Sequence, residues 1–194
     1  MKHRLTALAL WLVCGPARAA GPLVGLEFEA EKNNDNGITN HAVEMVAGWE
    51  FPEKSFINRV ELLIQRNQDA RADADGLRAK ENKLFVRIRH DGRLTDALDY
   101  YILVGIGRSF NNEGSFNYAY AEPGIEYKLR QNLAWTMAIR EINSIDSASG
   151  RHITQLRTGP GVVYGKGNEL QFLYVKANGD ANLSAWVLEY IHKF

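Results

Sequence analysis

Apolar and polar residues alternate along almost the whole chain, and this alternation restricts the fold more than any other feature of the sequence. Successive side chains of a β-strand point to opposite faces, so a period of two predicts strands rather than helices. Ile102 and Val104, for example, alternate with Tyr101, Leu103 and Gly105. No apolar run after the N-terminal segment approaches the ~18 residues of a transmembrane helix. The pattern predicts an all-β chain.

Ten segments carry the alternation, which predicts about ten strands, or eight if the weaker segments 41–51 and 169–176 are merged or lost. Short and long connections that alternate are typical of antiparallel hairpins in which one rim carries the loops. Tight turns are predicted at 52–54, Asp91-Gly92, 130–132 and 165–167, and longer connections at 32–37, 67–80, 109–115, 143–150 and 177–182. The ten segments are 23–31, 41–51, 56–66, 83–90, 98–107, 120–129, 133–140, 155–164, 169–176 and 186–194.

The direction of the apolar face separates two kinds of barrel. A soluble ligand-binding barrel turns this face inward, whereas an outer-membrane barrel turns it toward lipid. The apolar stripes approach the ~9–11 residues of a tilted membrane strand, and aromatic residues stand near their ends, as in an interfacial girdle. These features favour an antiparallel up-and-down transmembrane β-barrel over residues 20–194, with a soluble periplasmic ligand-binding barrel as the alternative. The aromatic residues are Trp49, Phe51, Tyr127, Trp135, Tyr164, Trp186 and Phe194.

The last predicted strand carries the most specific resemblance. Trp186, Leu188 and Tyr190 alternate with other residues toward the final Phe194. This segment resembles the C-terminal strand of Gram-negative outer-membrane β-barrels, in which the terminal aromatic and its apolar partners are the assembly signal. His192 departs from the apolar or aromatic residue usual at its place. The resemblance extends over the chain after the N-terminal segment, and it implies outer-membrane lipid and the barrel assembly machinery as partners.

Residues 1–19 have the features of a secretory signal peptide. A basic start at Lys2 and Arg4 precedes a short apolar stretch, and Ala17-Arg18-Ala19 forms a small-x-small cleavage site. The stretch is much shorter than the ~20 residues of a spanning helix. The sequence therefore predicts export. Cleavage after Ala19 removes Cys14, the single cysteine, so we expect no disulfide.

Charge and residue spacing argue against other classes of protein. The chain has 23 basic and 23 acidic side chains, and three of the basic ones lie in the predicted signal peptide. A mildly acidic mature chain does not have the basic footprint of a nucleic-acid-binding domain. His41 and Glu44 lie three apart on a predicted strand, so they point to opposite faces and cannot share a metal ion. We expect no nucleic-acid partner, no metal and no cofactor.

The polar face of the predicted strands supplies the candidate site. The first two strands contribute acids and the next two contribute bases, so we expect neighbouring strands to pair charges across the ladder. The result is either a salt-bridge network that fills a narrow lumen or a small passage whose basic wall, Arg59, Arg87 and Arg89, attracts anionic solutes. The candidate lumen and solute-binding residues are Arg59, Arg87, Arg89, Arg140, Arg157, Glu27, Glu29, Glu44, Glu122, Glu126, Tyr101 and Tyr120.

Barrel size bears on the function. Eight strands enclose an interior just wide enough for side chains, and ten strands lie near the boundary of a true channel. In length and in arginine-bearing strands the chain resembles the oligogalacturonate-specific porins, although its balanced lumen charge departs from their basic interior. We expect a porin-like barrel that passes or binds small hydrophilic solutes, or a structural envelope barrel, with both termini in the periplasm.

A second class of function is an outer-membrane hydrolase of lipid or peptide at the loop rim. Residues 146–152 include Asp146, Ser147 and His152, the residue types of a hydrolytic triad. Loops are rich in Ser, Asp and Gly for conformational reasons alone. Asp73 and Asp75 in the 67–80 connection have no predicted histidine partner. The sequence therefore favours a barrel that is not an enzyme.

Overall fold

The computed structural model describes residues 21–35, 37, 39–52, 55–72, 78–111, 114–146, 150–165 and 167–194. The predicted signal peptide lies outside the described residues and stays a prediction. Within the described ranges, no helix has the length and apolar character needed to cross a membrane.

Ten antiparallel strands close into one barrel in the described chain, which confirms the all-β prediction and the higher of the two strand numbers. The strands are β1 (Gly21–Asn33), β2 (Thr39–Glu50), β3 (Arg59–Ala72), β4 (Arg78–Thr95), β5 (Leu98–Asn111), β6 (Gly114–Arg130), β7 (Leu133–Ser144), β8 (His152–Tyr164), β9 (Asn168–Gly179) and β10 (Leu183–Lys193). Each strand pairs with the next in sequence, and β1 pairs with β10 to close the ring. The topology is up-and-down, without crossovers.

The connections define two ends of the barrel. The turn end holds the connections 51–58, 96–97, 131–132 and 165–167, together with the start of β1 and the end of β10. The loop end holds the connections 34–38, 73–77, 112–113, 145–151 and 180–182. The contrast in connection length is smaller than predicted because the strands extend past the apolar stripes. β3 and β4, for example, both continue into the predicted 67–80 connection.

Alternation along each strand separates an apolar outer surface from a polar interior. On β5, Ile102, Val104 and Ile106 are between 38% and 59% exposed, whereas Tyr101 and Leu103 are at most 5% exposed. β-Branched residues suit such a pleated, half-buried surface. The predicted apolar faces therefore point outward, and the polar faces line the lumen.

Aromatic side chains stand on the outer surface toward both ends. Tyr127, Trp135 and Tyr164 are exposed near the turn end. Toward the loop end, the ring of Trp186 stacks on Phe172 with 5.1 Å between centroids. An apolar band bounded by aromatic residues is the surface pattern of a barrel that contacts lipid.

The predicted turn at Asp91-Gly92 is wrong. Both residues lie within β4, opposite Tyr101 and Tyr100 of β5, and the turn falls at Asp96-Ala97 instead. A Cβ on Gly92 would overlap the ring of Tyr100. This glycine therefore marks a close approach between neighbouring strands rather than a reversal of the chain.

The alternation of segment 56–66 places Asn58 on the outward face with Val60 and Leu62, and this placement is wrong. Asn58 precedes β3, so the alternation of the ladder does not govern its direction. The side chain is buried, and its carbonyl oxygen accepts a hydrogen bond from the backbone N–H of Asp91 at 2.8 Å.

Candidate functional site

Two tyrosines enter the lumen where glycines face them on the neighbouring strand. Tyr101 on β5 lies opposite Gly124 on β6, and Tyr120 on β6 lies opposite Gly105 on β5. A Cβ on either glycine would overlap the facing ring. Each ring therefore occupies the space that a side chain would take, and both tyrosines are buried.

Glu122 on β6 gathers three polar partners at mid-depth in the barrel. The hydroxyl of Tyr101 donates to its carboxylate at 2.7 Å, and Nε of Arg140 donates at 2.5 Å. Nε of Arg157 lies 3.6 Å from the same carboxylate, which is beyond hydrogen-bond distance. The guanidinium of Arg140 also lies 4.9 Å from the ring centroid of Tyr120. Hydrogen bonds that involve a charged group are stronger than those between neutral groups, so these contacts fix the positions of Tyr101, Glu122 and Arg140.

A second cluster centres on Glu61 of β3, which is 1% exposed. Its carboxylate forms a close ion pair with Arg87 and lies 3.8 Å from Nη1 of Arg59. Arg87 also donates to Glu189 on β10 at 3.0 Å, and Arg59 donates to Glu169 on β9 at 2.7 Å. The cluster links strands that lie apart around the barrel wall.

Glu61 is a central residue that the sequence analysis did not select as a candidate. The alternation places it on the inward face, but nothing in that pattern distinguishes it from the other inward acids. The register does distinguish it, since Glu61 lies directly opposite Arg87 in the β3–β4 ladder. Opposite charges at such a position pair readily.

The two clusters form a central layer that divides the lumen. A turn-side cavity of about 210 Å³ and a loop-side cavity of about 240 Å³ lie on its two sides. Among their described lining residues, Arg140 and Arg157 are the two that reach both cavities. The central layer consists of Glu61, Arg87, Tyr101, Tyr120, Glu122, Arg140 and Arg157.

Most of the charges that line the turn-side cavity are paired. Nη2 of Arg89 lies 2.8 Å from Glu126 and Nε lies 2.6 Å from Asp91. Lys193 reaches Glu169 at 2.7 Å. The arginines of the predicted basic wall thus all have carboxylate partners in this structure, which neutralises the wall.

The acids on the loop side are arranged differently. Glu27 of β1 lies directly between Glu44 of β2 and Glu189 of β10 in the two ladders. Glu189 pairs with Arg87, but among the described residues no ion pair joins Glu27 or Glu44 to a cation within 4 Å. Both side chains are at most 6% exposed.

The predicted pairing of the acids on β1 and β2 with the arginines on β3 and β4 is wrong. The register places Gln65 rather than an arginine opposite Glu44. Nε2 of Gln65 donates instead to Glu29, at 3.4 Å. Barrel closure brings the acids of β9 and β10 within reach of Arg59 and Arg87, and the pairs form there.

The loop-rim residues named for a hydrolase have structural contacts. Asp146 accepts hydrogen bonds from the backbone N–H of Asn117 at 2.5 Å and from its side-chain amide at 3.2 Å. His152 lies 3.1 Å from Glu141. These contacts anchor the ends of β6, β7 and β8. Residues 147–149, with Ser147, and 73–77, with Asp73 and Asp75, lie outside the described residues, so the hydrolase hypothesis stays untested.

Comparison with known proteins shows a shared fold. The sequence matches no protein-family model and no curated protein. An outer-membrane channel from Pseudomonas putida F1 superimposes with a TM-score of 0.57 at 9% identity, over 94% of this chain and 98% of that one. The translocator domain of the autotransporter NalP from Neisseria meningitidis gives 0.55 at 10% identity, over 100% and 94%.

A third solved structure bears on the predicted resemblance to oligogalacturonate-specific porins. The KdgM porin in complex with oligogalacturonate gives a TM-score of 0.44 at 10% identity, over 89% of this chain and 99% of that one. This likeness is too distant to test that resemblance. The stronger matches show that the chain has the fold of outer-membrane β-barrels, as the sequence predicted.

Proposed function

We propose that the chain is a porin-like outer-membrane β-barrel in which the central layer limits the passage of small hydrophilic solutes. The observation that carries the proposal is the division of one polar lumen into two cavities that meet at Arg140 and Arg157. A barrel with a purely structural interior does not need two polar cavities. A wide pore, in turn, does not have a packed layer across its middle.

The outer surface supports a location in the outer membrane. Large apolar side chains such as Phe28, Met45 and Ile106 are at least half exposed. An exposed apolar surface of this extent is rare on soluble monomers and is typical of lipid contact. The same orientation argues against a soluble periplasmic barrel, which turns its apolar face inward.

The terminal strand supports a second part of the proposal, namely recognition by the barrel assembly machinery. Trp186, Leu188 and Tyr190 point outward on β10, and Phe194 follows the strand with 69% of its surface exposed. An outward row of apolar and aromatic side chains is available to a partner before the strand pairs with β1. Loss of folded barrel from outer-membrane fractions on Phe194→Ala would support this role, and unchanged yield would contradict it.

The arginines do not by themselves favour anionic solutes. Arg59, Arg87 and Arg89 each lie close to at least one carboxylate, so the field that they present to the turn-side cavity is largely cancelled. Charge selectivity depends on the net charge that remains in the lumen after its charged groups have paired.

Conductance in planar lipid bilayers tests the proposal. The wild-type barrel is expected to pass small ions with a low conductance. Replacing both Glu122 and Arg140 by Ala removes one complete ion pair from the central layer and leaves no new net charge. The double variant is expected to raise the conductance several-fold, because the two cavities then join.

The matched control removes an ion pair outside the central layer. Lys193 and Glu50 pair at 2.8 Å at the turn end. Replacing both by Ala is expected to leave the conductance near the wild-type value. Heat-modifiable migration in gels shows for each variant that the barrel is folded.

The packed central layer favours one other function, that of a structural envelope barrel. Glu61, Tyr101 and Glu122 are at most 4% exposed, as in a barrel that never opens. If folded wild-type protein and the Glu122 and Arg140 double variant both fail to conduct, the porin-like proposal is overturned and the structural barrel is supported.

A further inference from the structure

The loop-side cavity contains buried polar atoms without hydrogen-bond partners. Oε1 of Glu44, Oε1 of Gln155, the hydroxyl of Tyr120 and Nε of Arg157 are buried and unpaired among the described residues, and all four residues line this cavity. Buried polar groups in native proteins almost always have a partner. The residues that line the cavity therefore carry two unpaired acceptors and one unpaired hydroxyl, while the unpaired Nε of Arg157 lies 3.6 Å from Glu122.

The charges around the cavity are balanced in total but not locally. On the side of β1 and β2, Glu27 and Glu44 both line the cavity and lie opposite each other in the ladder, and among the described residues no cation lies within 4 Å of either carboxylate. Like charges that face each other across a ladder repel one another. Lys83 of β4, which also lines the cavity, attracts Glu29 rather than forming an ion pair with Glu27 or Glu44.

The opposite side lacks negative charge. Arg140 and Arg157, on β7 and β8, share Glu122 as their one close acidic partner among the described residues. In the ring of ten strands, β7 lies across the lumen from β2. Glu29 of β1 lines the same cavity as both arginines, so the two charged sides face each other through the cavity. Desolvated charges in such a space interact strongly with an occupant.

The size of the cavity sets the size of the occupant. Its volume is about 240 Å³, and a cavity of roughly 150 Å³ accommodates benzene. The space therefore suits a solute slightly larger than a six-membered ring. A row of waters would fit the volume, but it would leave the separated charges uncompensated.

We propose that the loop-side cavity binds a small zwitterion, with its ammonium group at Glu44 and Glu27 and its carboxylate at Arg157 and Arg140. Tyr120 donates a further hydrogen bond to the carboxylate. This inference names the solute class of the proposed porin-like barrel and to that extent rests on the proposed function. Binding itself requires only the folded barrel, whether or not solute passes through.

Isothermal titration calorimetry of the full-length, folded barrel in detergent micelles tests the inference with three matched probes. 4-Aminobutanoate carries both charges, butylamine only the positive one and butanoate only the negative one. We expect saturable binding of 4-aminobutanoate, with both single-charge probes weaker by about tenfold to a hundredfold, as the loss of a charged hydrogen bond predicts.

Substitutions assign the two ends of the ligand. Glu44→Gln is expected to weaken 4-aminobutanoate binding by about tenfold or more while leaving butanoate binding unchanged, and Arg157→Gln is expected to do the same while leaving butylamine binding unchanged. Glu50→Gln, a matched change of an acid at the turn end, is expected to leave all three affinities unchanged. Heat-modifiable migration confirms that each variant is folded.

Several results would overturn the inference. No saturable heat with 4-aminobutanoate would show that water alone fills the cavity. Butylamine or butanoate binding as tightly as 4-aminobutanoate would show a simple cation or anion site. A barrel that binds the zwitterion but does not conduct would keep this inference and overturn the porin-like function, so the two failures are distinguishable.

Discussion

The two cavities of the lumen are similar in volume but differ in how their charges are compensated. On the turn side, Arg89 and Lys193 each reach two carboxylates. On the loop side, Glu27 and Glu44 lie buried beside each other without a close cation in the described residues. Buried charges that are paired stabilise one arrangement of the barrel, whereas buried charges that are unpaired cost free energy. The turn side therefore contributes ion pairs to the fold, whereas the loop side carries the charges of the proposed zwitterion site.

The largest effect is expected in the central layer. Glu61→Gln removes the charge that Arg87 and Arg59 face, and breaking a buried ion pair is strongly destabilising. We expect the free energy of unfolding to fall by about 3 kcal/mol. Urea unfolding in phospholipid vesicles, followed by tryptophan fluorescence, measures the change. A loss of stability no larger than that of a substitution at the rim would show that the ion pairs of Glu61 do not stabilise the barrel.

A smaller loss of stability is expected at Gly124, where the absence of a side chain leaves room for the ring of Tyr101. Gly124→Ala forces Tyr101 away from Glu122, and overpacking of this kind is expected to cost about 2 kcal/mol. Gly161→Ala is the matched control, because a Cβ there meets its nearest atoms at ordinary contact distance, 3.5 Å. The same urea titration compares the two variants. Equal stabilities would contradict the positioning role of Gly124.

The same type of substitution, Glu to Gln, is expected to change the free energy of unfolding in the opposite direction on the loop side. Glu44→Gln removes one of two facing acids, so we expect the free energy of unfolding to rise by about 1 kcal/mol. This variant should therefore be more stable and yet bind the zwitterion less well. If Glu44→Gln were destabilised like Glu61→Gln, the contrast between the two cavities would be lost.

The smallest effect is expected at the turn-end rim. Glu50 pairs with Lys193, and both side chains are partly exposed. Pairs of this kind contribute little, so Glu50→Gln is expected to lower the free energy of unfolding by about 0.5 kcal/mol. The loss should shrink further in about 1 M salt, where exposed charges are screened. A loss of stability that persists at high salt would show that this pair behaves like the buried ion pairs of the central layer.

The alternation of the sequence was sufficient to predict the barrel and the face on which each candidate lies. Tyr101 and Arg87 were placed inside, and Ile102 and Trp186 outside, because the direction of a strand side chain follows from its parity alone. The same argument failed at Asn58, where the chain leaves the ladder. At Gly92 the turn preference of Asp-Gly misled instead, because this glycine makes room for the ring of Tyr100.

The partners of the inward charges could not be predicted in the same way. Whether Glu44 meets an arginine or Gln65 depends on register, and a shift of two residues preserves the parity while changing every neighbour. Contacts such as Arg59 with Glu169 join residues that lie far apart in sequence. They exist because the ring closes, and closure is a property of the whole chain rather than of any segment.

The pairing of β1 with β10 also has a consequence for folding. Eleven pairs of residues, from Leu23 with Lys193 to Asn33 with Leu183, join the two extremes of the described chain. Contacts of such long sequence separation are slow to form, and until they form the sheet has two open edges that can pair with other chains. Until β10 pairs with β1, a sheet of the other strands is therefore prone to aggregate, and this last pairing gives a barrel without open edges.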